Sequence, residues 1–411
     1  MLNTFQPVAK NRDFLIALTG RSVSVFGDEV ALVALTLRLQ AAGAHPYLVA
    51  LLFGAGLAPF VLLAGAAGRL VDSADSRHVL VFTSLGQVCC CIPLIFTSTA
   101  AVMVVLVALL GCGAAVTQAT WQALTPRVVG EDNIGAAIAA QQSSVNLASV
   151  LAPAVSGLLC AAFGTGVPIA LDAVTFAVMT IAAATVRTRR VGELQAGAHG
   201  ERGGWAVLRA DPLLAPLVTS LAAFVLLGMM TNVVTVFLVR DTLHASAGWY
   251  GGLGALWMLG IVGGALASGR LTADAGRVRA VLFGAGLISL ALLGYGVAPA
   301  VVLIAPVAVL GGVGNGMVNV CVATLVMTRS DERVRGRVSA ALGALLQGAS
   351  VASLVIGGAL AAVLDPRQIF LLAGGLGAVV TAVAAVEVTS RQRSASVPVP
   401  DPDPRRYFVR R

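Results

Sequence analysis

Gly68-Arg69-Leu70-Val71-Asp72-Ser73-Ala74-Asp75-Ser76-Arg77-His78 returns later in the chain as Gly269-Arg270-Leu271-Thr272-Ala273-Asp274-Ala275-Gly276-Arg277-Val278-Arg279. The copies lie 201 residues apart (269 minus 68), about half of the 411-residue chain. Each follows a long apolar run and reads as a polar loop. A parallel repeat of this kind in so apolar a chain points to two homologous membrane halves with something moved between them. The copies are unequal: where the first has Asp72 and Arg77, the second has Ala273 and Val278.

The surrounding composition supports the membrane reading. Hydrophobic residues make up 58% of the chain and charged residues 11%, with a mean hydropathy of +0.91, far from soluble domains. Twelve apolar runs of roughly 18–28 residues each suffice to cross a ~30 Å hydrocarbon core at ~1.5 Å per residue. The ~10-residue alternation of barrel strands is absent. The expected fold is therefore all-α and integral to the membrane, with twelve transmembrane helices in two six-helix halves. Cys89, Cys90, Cys91, Cys112, Cys160 and Cys321 all fall inside apolar runs, which argues against a disulfide framework and for small apolar packing.

The net charge of +8 raises the question of nucleic acid, and position answers it. With twelve spans, 23 of the 27 basic residues fall in loops and tails on one side. Arg38, Arg240 and Arg367 lie on the other, and Arg21 sits within the first span. That bias places both termini in the cytoplasm and the protein in the plasma (inner) membrane, with lipid as its surroundings and no nucleic-acid partner. The expected organisation is an N-terminal half over 1–186, a cytoplasmic linker over 187–212, a C-terminal half over 213–388 and a disordered tail over 389–411. The linker end around Trp205 and Leu208 is either a short helix on the membrane face or plain connection. The tail alternates Pro over 398–404 and has nothing with which to bury a core.

The Gly68–His78 segment resembles the signature of the major facilitator superfamily between its second and third helices: Gly, then Asp four residues on, then a basic end. Asp75-Ser76 stands near the usual turn glycine and His78 replaces the second strong base. In the fifth span, Ala152, Pro153, Ser156 and Gly157 resemble the superfamily's exporter signature of spaced small residues around Gly-Pro, a helix-packing motif. Gly27-Asp28, Trp121 to Val129, Leu171-Asp172-Ala173 and Arg335-Gly336-Arg337-Val338 look like the branch holding enterobactin exporters and macrolide-efflux proteins. The resemblance implies alternating access between the halves, an inner gate at the two repeated segments, and a central cavity.

Ionisable groups at membrane depth are costly and usually functional. Asp28 and Glu29 lie near the middle of the first span, and Arg21 is two turns from Asp28 on the same face. These three are candidates for proton coupling; the plainer reading has the acids joining helices by hydrogen bonds. Asp172, toward the outer end of the sixth span, reads as a helix-end structural residue. The inner gate would use Gly68, Asp72, Asp75 and Arg77 with Gly269, Asp274 and Arg277, the first copy carrying more of the charge. Otherwise the segment is a solvated turn. Substrate-cavity candidates are Gln118, Trp121, Gln122, Gln142, Asn146, Trp257, Asn315 and Asn319, with interhelical hydrogen bonding as the alternative for the amides.

Together these readings give a proton-coupled exporter of amphipathic small molecules of drug, macrolide or siderophore type, expected to be monomeric. A metabolite importer or uniporter, or a membrane scaffold or sensor, is the alternative. No nucleotide-binding loop and no metal-ligand spacing occurs, so neither an enzyme, a cofactor nor a metal is expected, and the energy would come from an ion gradient.

Overall fold

The computed structural model describes residues 11–130, 133–186, 206, 208, 209, 211, 213–330 and 335–395, without the side chains at 72, 134, 135, 139, 335–337, 339, 340 and 391–395. The linker expected around Trp205, nearly all of 187–212, and the tail beyond 395 lie outside the described residues.

The first half contains α1 (Arg12–Ala41), α2 (Pro46–Leu62), α3 (Ala64–Ser73), α4 (Ser76–Phe96), α5 (Ala100–Val129), α6 (Ile134–Phe163) and α7 (Gly166–Thr185). The second contains α8 (Leu214–Phe237), continued by a π-helical turn (Leu238–Thr242), then α9 (Ala247–Ser268), α10 (Asp274–Val297), α11 (Val301–Arg329), α12 (Arg335–Leu360) and α13 (Pro366–Ala395). Among the described residues, ten helices are long and apolar enough to cross a membrane, or eleven if α2 and α3, bent by 55°, form one span. Helix α1 is just as long but carries Arg21, Asp28, Glu29 and Arg38. Its partners compensate that polarity in part, because it packs closely on α7 and α6.

The repeated segments are less loop-like than their composition suggests. Gly68 to Ser73 belongs to α3, and Asp75 caps α4 by accepting a 2.8 Å hydrogen bond from the Arg77 backbone N–H. A side chain that satisfies an orphan amide lets the helix start at once, so only Ala74 and Asp75 separate the two helices. In the second copy Gly269 ends α9, and Asp274 opens α10 four residues after Arg270. At the other end of the chain α13 continues to Ala395, seven residues past the boundary expected at 388.

Chain ends and loops define two sides. The terminal side, where α1 begins, gathers Asn11, whose amide donates to the Val128 carbonyl, and the ends of α8, α10 and α11 joined through Arg329. The distal side gathers Arg38, which donates to Thr165 Oγ1 at 2.9 Å and to the Leu94 and Thr97 carbonyls at 2.7 and 3.1 Å.

The halves meet along a distal seam. Gly157 of α6 lies on Gly251 of α9 so closely that a Cβ on Gly251 would be 2.2 Å from the Pro153 carbonyl oxygen. Its image under the 201-residue offset is Gly358 of α12, whose Cβ would be 2.9 Å from the Ala50 methyl of α2. The sequence repeat is thus a repeat of contacts. Within each half the same relation holds. Ser156 donates to the Val30 carbonyl at 2.7 Å, and a Cβ on Gly357 would stand 3.0 Å from the Met230 Cα. Small residues allow this approach where lipid supplies no hydrophobic drive between helices.

Candidate cavity and gates between the halves

A cavity of about 450 Å³ lies between the halves. Helix α1 supplies Glu29, Leu32, Val33 and Thr36; α2 and α6 add Phe53 and Pro153; every other lining residue comes from the second half. There, Phe224, Tyr250, Trp257 and Tyr295 give an aromatic wall, while Asn232, Asn315 and Asn319 give amides. Tyr295 and Phe370 stack at 5.0 Å between centroids with planes 15° apart. Of the sequence candidates, Trp257, Asn315, Asn319 and Glu29 line this space.

The remaining candidates fall elsewhere. Trp121 is buried among Phe14, Leu80, Leu124 and Met179 in a first-half core, with its indole N–H unpartnered among the described residues. Its neighbours Gln118 and Gln122 are exposed on the face of α5 opposite the exposed Val105 and Leu109. Gln142 and Asn146 are exposed and joined by a 3.0 Å hydrogen bond. They precede Pro153 and Gly157 by eleven residues, three helical turns, and so share the face of α6 that packs on α9 higher up. That places them on the wall facing the other half, below the seam. Ala152 and Ser156, buried between α6 and α1, complete the small-residue motif.

Distal closure has three components. Besides the two small-residue contacts, Gln40 at the end of α1 donates to Asp241 Oδ1 at 2.6 Å and accepts from Arg240 Nε at 3.4 Å. Both partners sit on the π-helical turn, and Arg240 is held there by a 2.8 Å hydrogen bond to the Ala245 carbonyl. Neither Arg240 nor Asp241 is among the site candidates legible in the sequence, although two opposite charges at the end of an apolar span are a visible signal. Toward the terminal side the halves part. A Cβ on Gly54 would still reach Leu354 at 4.0 Å, whereas one on Gly65, Gly68, Gly343 or Gly348 would meet open space.

Across that opening, the candidate gate residues of the two copies behave differently. Asp274 is bonded to Arg277 at 3.0 Å and to Arg329 at 3.3 Å, and Arg329 reaches Asp211 at 2.8 Å. This network ties α8, α10 and α11 of the second half. Burial raises the Asp211 carboxyl, but the Arg329 hydrogen bond, the Leu213 and Leu214 amides and the Arg329 charge outweigh it and hold the group below the ordinary carboxylate range. In the first copy Asp75 caps α4, His78 approaches Asp75 at 3.9 Å and Ser73 Oγ donates to the Leu70 carbonyl at 3.2 Å; the Asp72 side chain lies outside the described residues. The second copy, the less charged of the two in sequence, thus carries an ion network of its own.

Behind α1, away from the cavity, lies a second polar site. Gly27 presses on α7 so tightly that a Cβ would stand 2.6 Å from Asp172 Oδ1. Asp172 is 1% exposed; it accepts from Thr175 Oγ1 at 3.2 Å and from the Cys91 thiol at 3.7 Å. Asp28 and Asp172 are close enough for their charges to interact. Asp172 is thus a buried member of an acidic pair, not a solvated helix-end residue. Arg21 makes no ion pair with Asp28 among the described residues, so the pairing that seven-residue spacing allowed is replaced by Asp28 with Asp172.

Comparison with known proteins agrees with this geometry. A family model described as Major Facilitator Superfamily matches residues 17–354, and the chain belongs to that superfamily. No curated protein matches it in sequence. Among solved structures it is similar to the nucleoside transporter NupG, with a TM-score of 0.74, 11% identity, and coverage of 92% of this chain and 99% of that one. A bacterial homolog of the human lysosomal transporter Spinster, inward-facing and unoccupied, matches at TM-score 0.70 and 13% identity over 95% and 98% of the chains. A bacterial homologue of the iron transporter ferroportin, also inward-facing, matches at 0.69 and 15% over 91% and 98%. At such identities the likeness establishes the fold and carries no cargo with it.

Proposed function

We propose that this protein is a proton-coupled exporter of amphipathic small molecules, working by alternating access between two six-helix halves. In this reading α1, the bent α2–α3 pair and the ten apolar helices make twelve spans of the inner membrane, with both termini and most arginines in the cytoplasm. The terminal side is then cytoplasmic, and the conformer is inward-open. The single observation that supports it most is the cavity between the halves, pinched off distally by the seam and by Gln40, and parted toward the terminal side. Export is favoured over uptake by the resemblance to enterobactin and macrolide exporters.

Proton coupling rests on the acids of α1. Asp28, with Asp172 behind it, holds a proton whose release follows a change in water access; Glu29 and Arg21 complete the candidate set. The inner gate forms when Gly68, Asp72, Asp75 and Arg77 close on the second half, and the Asp211–Arg329–Asp274 network holds the opposing helix ends in place. Expression in an efflux-deficient bacterium, with a panel of dyes, macrolides and siderophores, tests the whole reading. Protonophore-sensitive loss of one compound from cells is the expected result. Accumulation on expression would turn the reading to an importer, and no flux of any kind would sink it.

A further inference from the structure

We infer that the cavity is built for an organic cation: a lipophilic body carrying a fixed or protonated positive charge, held by Glu29 and the aromatic wall. The inference rests on the transport reading and narrows it, excluding anionic cargo. The chain carries 27 Lys and Arg against 19 Asp and Glu, yet no Lys, Arg or His lines the cavity among the described residues, and Glu29 is its one carboxylate. An anion entering this space would lose its water and find no counter-charge, facing Glu29 instead. A cation finds the carboxylate and, around it, ring faces that carry partial negative charge.

Placement strengthens this. The aromatic residues come from both sides of the space: Phe53 from the first half, and Phe224, Tyr250, Trp257, Tyr295 and Phe370 from the second. A flat or branched aromatic cation is thus enclosed rather than merely touched. Thr36 and Tyr250 line the space from opposite halves, so the wall carries a hydroxyl residue from each half beside Glu29. Behind the wall the charges are again acidic, Asp28 and Asp172, and Arg21 is not among the lining residues. A volume of about 450 Å³ is in the range for a drug-sized molecule.

Equilibrium binding to the purified full-length protein in lipid nanodiscs tests this, with tritiated tetraphenylphosphonium as the probe. Tetraphenylborate, of the same shape and opposite charge, and neutral triphenylphosphine oxide serve as competitors. Saturable phosphonium binding is expected, with Glu29→Gln weakening it by about tenfold or more and Glu29→Asp retaining most of it. Trp257→Phe should weaken it by only about threefold. Neither competitor should displace the probe. The inference is overturned if folded Glu29→Gln binds with wild-type affinity, or if borate competes as well as unlabelled phosphonium; the second arm needs no variant. Flux in proteoliposomes separates the two readings. Phosphonium bound at Glu29 but never moved would sink transport and keep the site. Movement of the borate or the neutral compound without phosphonium binding would sink the site and keep transport.

Discussion

The two halves share a fold and divide the chemistry unequally. Asp28, Glu29 and Asp172 all lie in the first half; at the 201-residue offset stand Met229, Met230 and Ala373. The second half, in return, supplies most of the cavity wall, including five of its six aromatic residues. Duplication gave both halves the same helices and the same seam contacts. Charge at membrane depth, costly wherever it occurs, was kept on one side only, next to the helix that borders both compartments. In the proposed reading α1 is where the energy source and the cargo meet: Asp28 faces α7 and Glu29, one residue on, faces the cavity.

The largest effect that tests this division is a double dissociation. Asp28→Asn or Asp172→Asn should remove the stimulation of transport by a pH gradient in proteoliposomes while leaving cargo affinity within about twofold, well under the 1.4 kcal/mol that marks a tenfold change. Unchanged gradient dependence in Asp28→Asn would break the assignment of energy coupling to the first half. Next comes the seam. Gly251→Ala places a methyl 2.2 Å from the Pro153 carbonyl oxygen. Overpacking of that kind costs about 1–3 kcal/mol, so the distally closed population should fall by roughly tenfold. Spin labels on the distal ends of α6 and α9 would report a longer distance; an unaltered distribution would mean the seam does not set the state.

Smaller shifts are expected from polar contacts near water. Gln40→Ala removes both links to the π-helical turn and should raise distal accessibility by about fivefold, the worth of one modest hydrogen bond, read by maleimide labelling of a cysteine placed at Ala42. The smallest effect belongs to Asp211. Its carboxyl is held low when folded, so its contribution is complete above the ordinary carboxylate value of about 4 and is lost only as pH falls through the lower folded value. Thermal stability should therefore be flat in this respect from pH 8 to 5. Asp211→Asn should lower it at neutral pH by an amount worth under about 1 kcal/mol, since the pair is partly exposed, and should make the acid limb shallower.

Much of this was legible in the sequence because membranes impose a coarse code. Apolar length located the helices: the first run, read as holding Arg21, Asp28 and Glu29, is α1, Arg12–Ala41. The 201-residue repeat was readable from two short segments and reappears as exchanged contacts at Gly157 with Gly251 and Gly358 with Ala50. Trp257, Asn315 and Asn319 stood out because aromatic and amide groups are unusual in apolar runs, and they line the cavity. What could not be read was pairing across helices. Seven residues on one helix put Arg21 under Asp28, but only the packing of α1 on α7 brings Asp172 there instead. Periodicity likewise put Trp121 with Gln118 and Gln122, although the indole faces a core and the amides face away from it. The asymmetry of the repeated segments was visible as letters, yet the partner that gives Asp274 its network, Arg329, lies 55 residues further on.

Cys91 turns the buried acid pair into something that can be probed. Its thiol points at Asp172, and it closes a run in which Cys89 is exposed and Cys91 is not. A maleimide can alkylate Cys91 only when reagent and water both reach that depth, and the thioether it forms is permanent, so the rate of its modification, read by mass spectrometry, reports the hydrated fraction of the acids averaged over many turnovers. The native protein thus carries its own hydration probe, with no cysteine introduced.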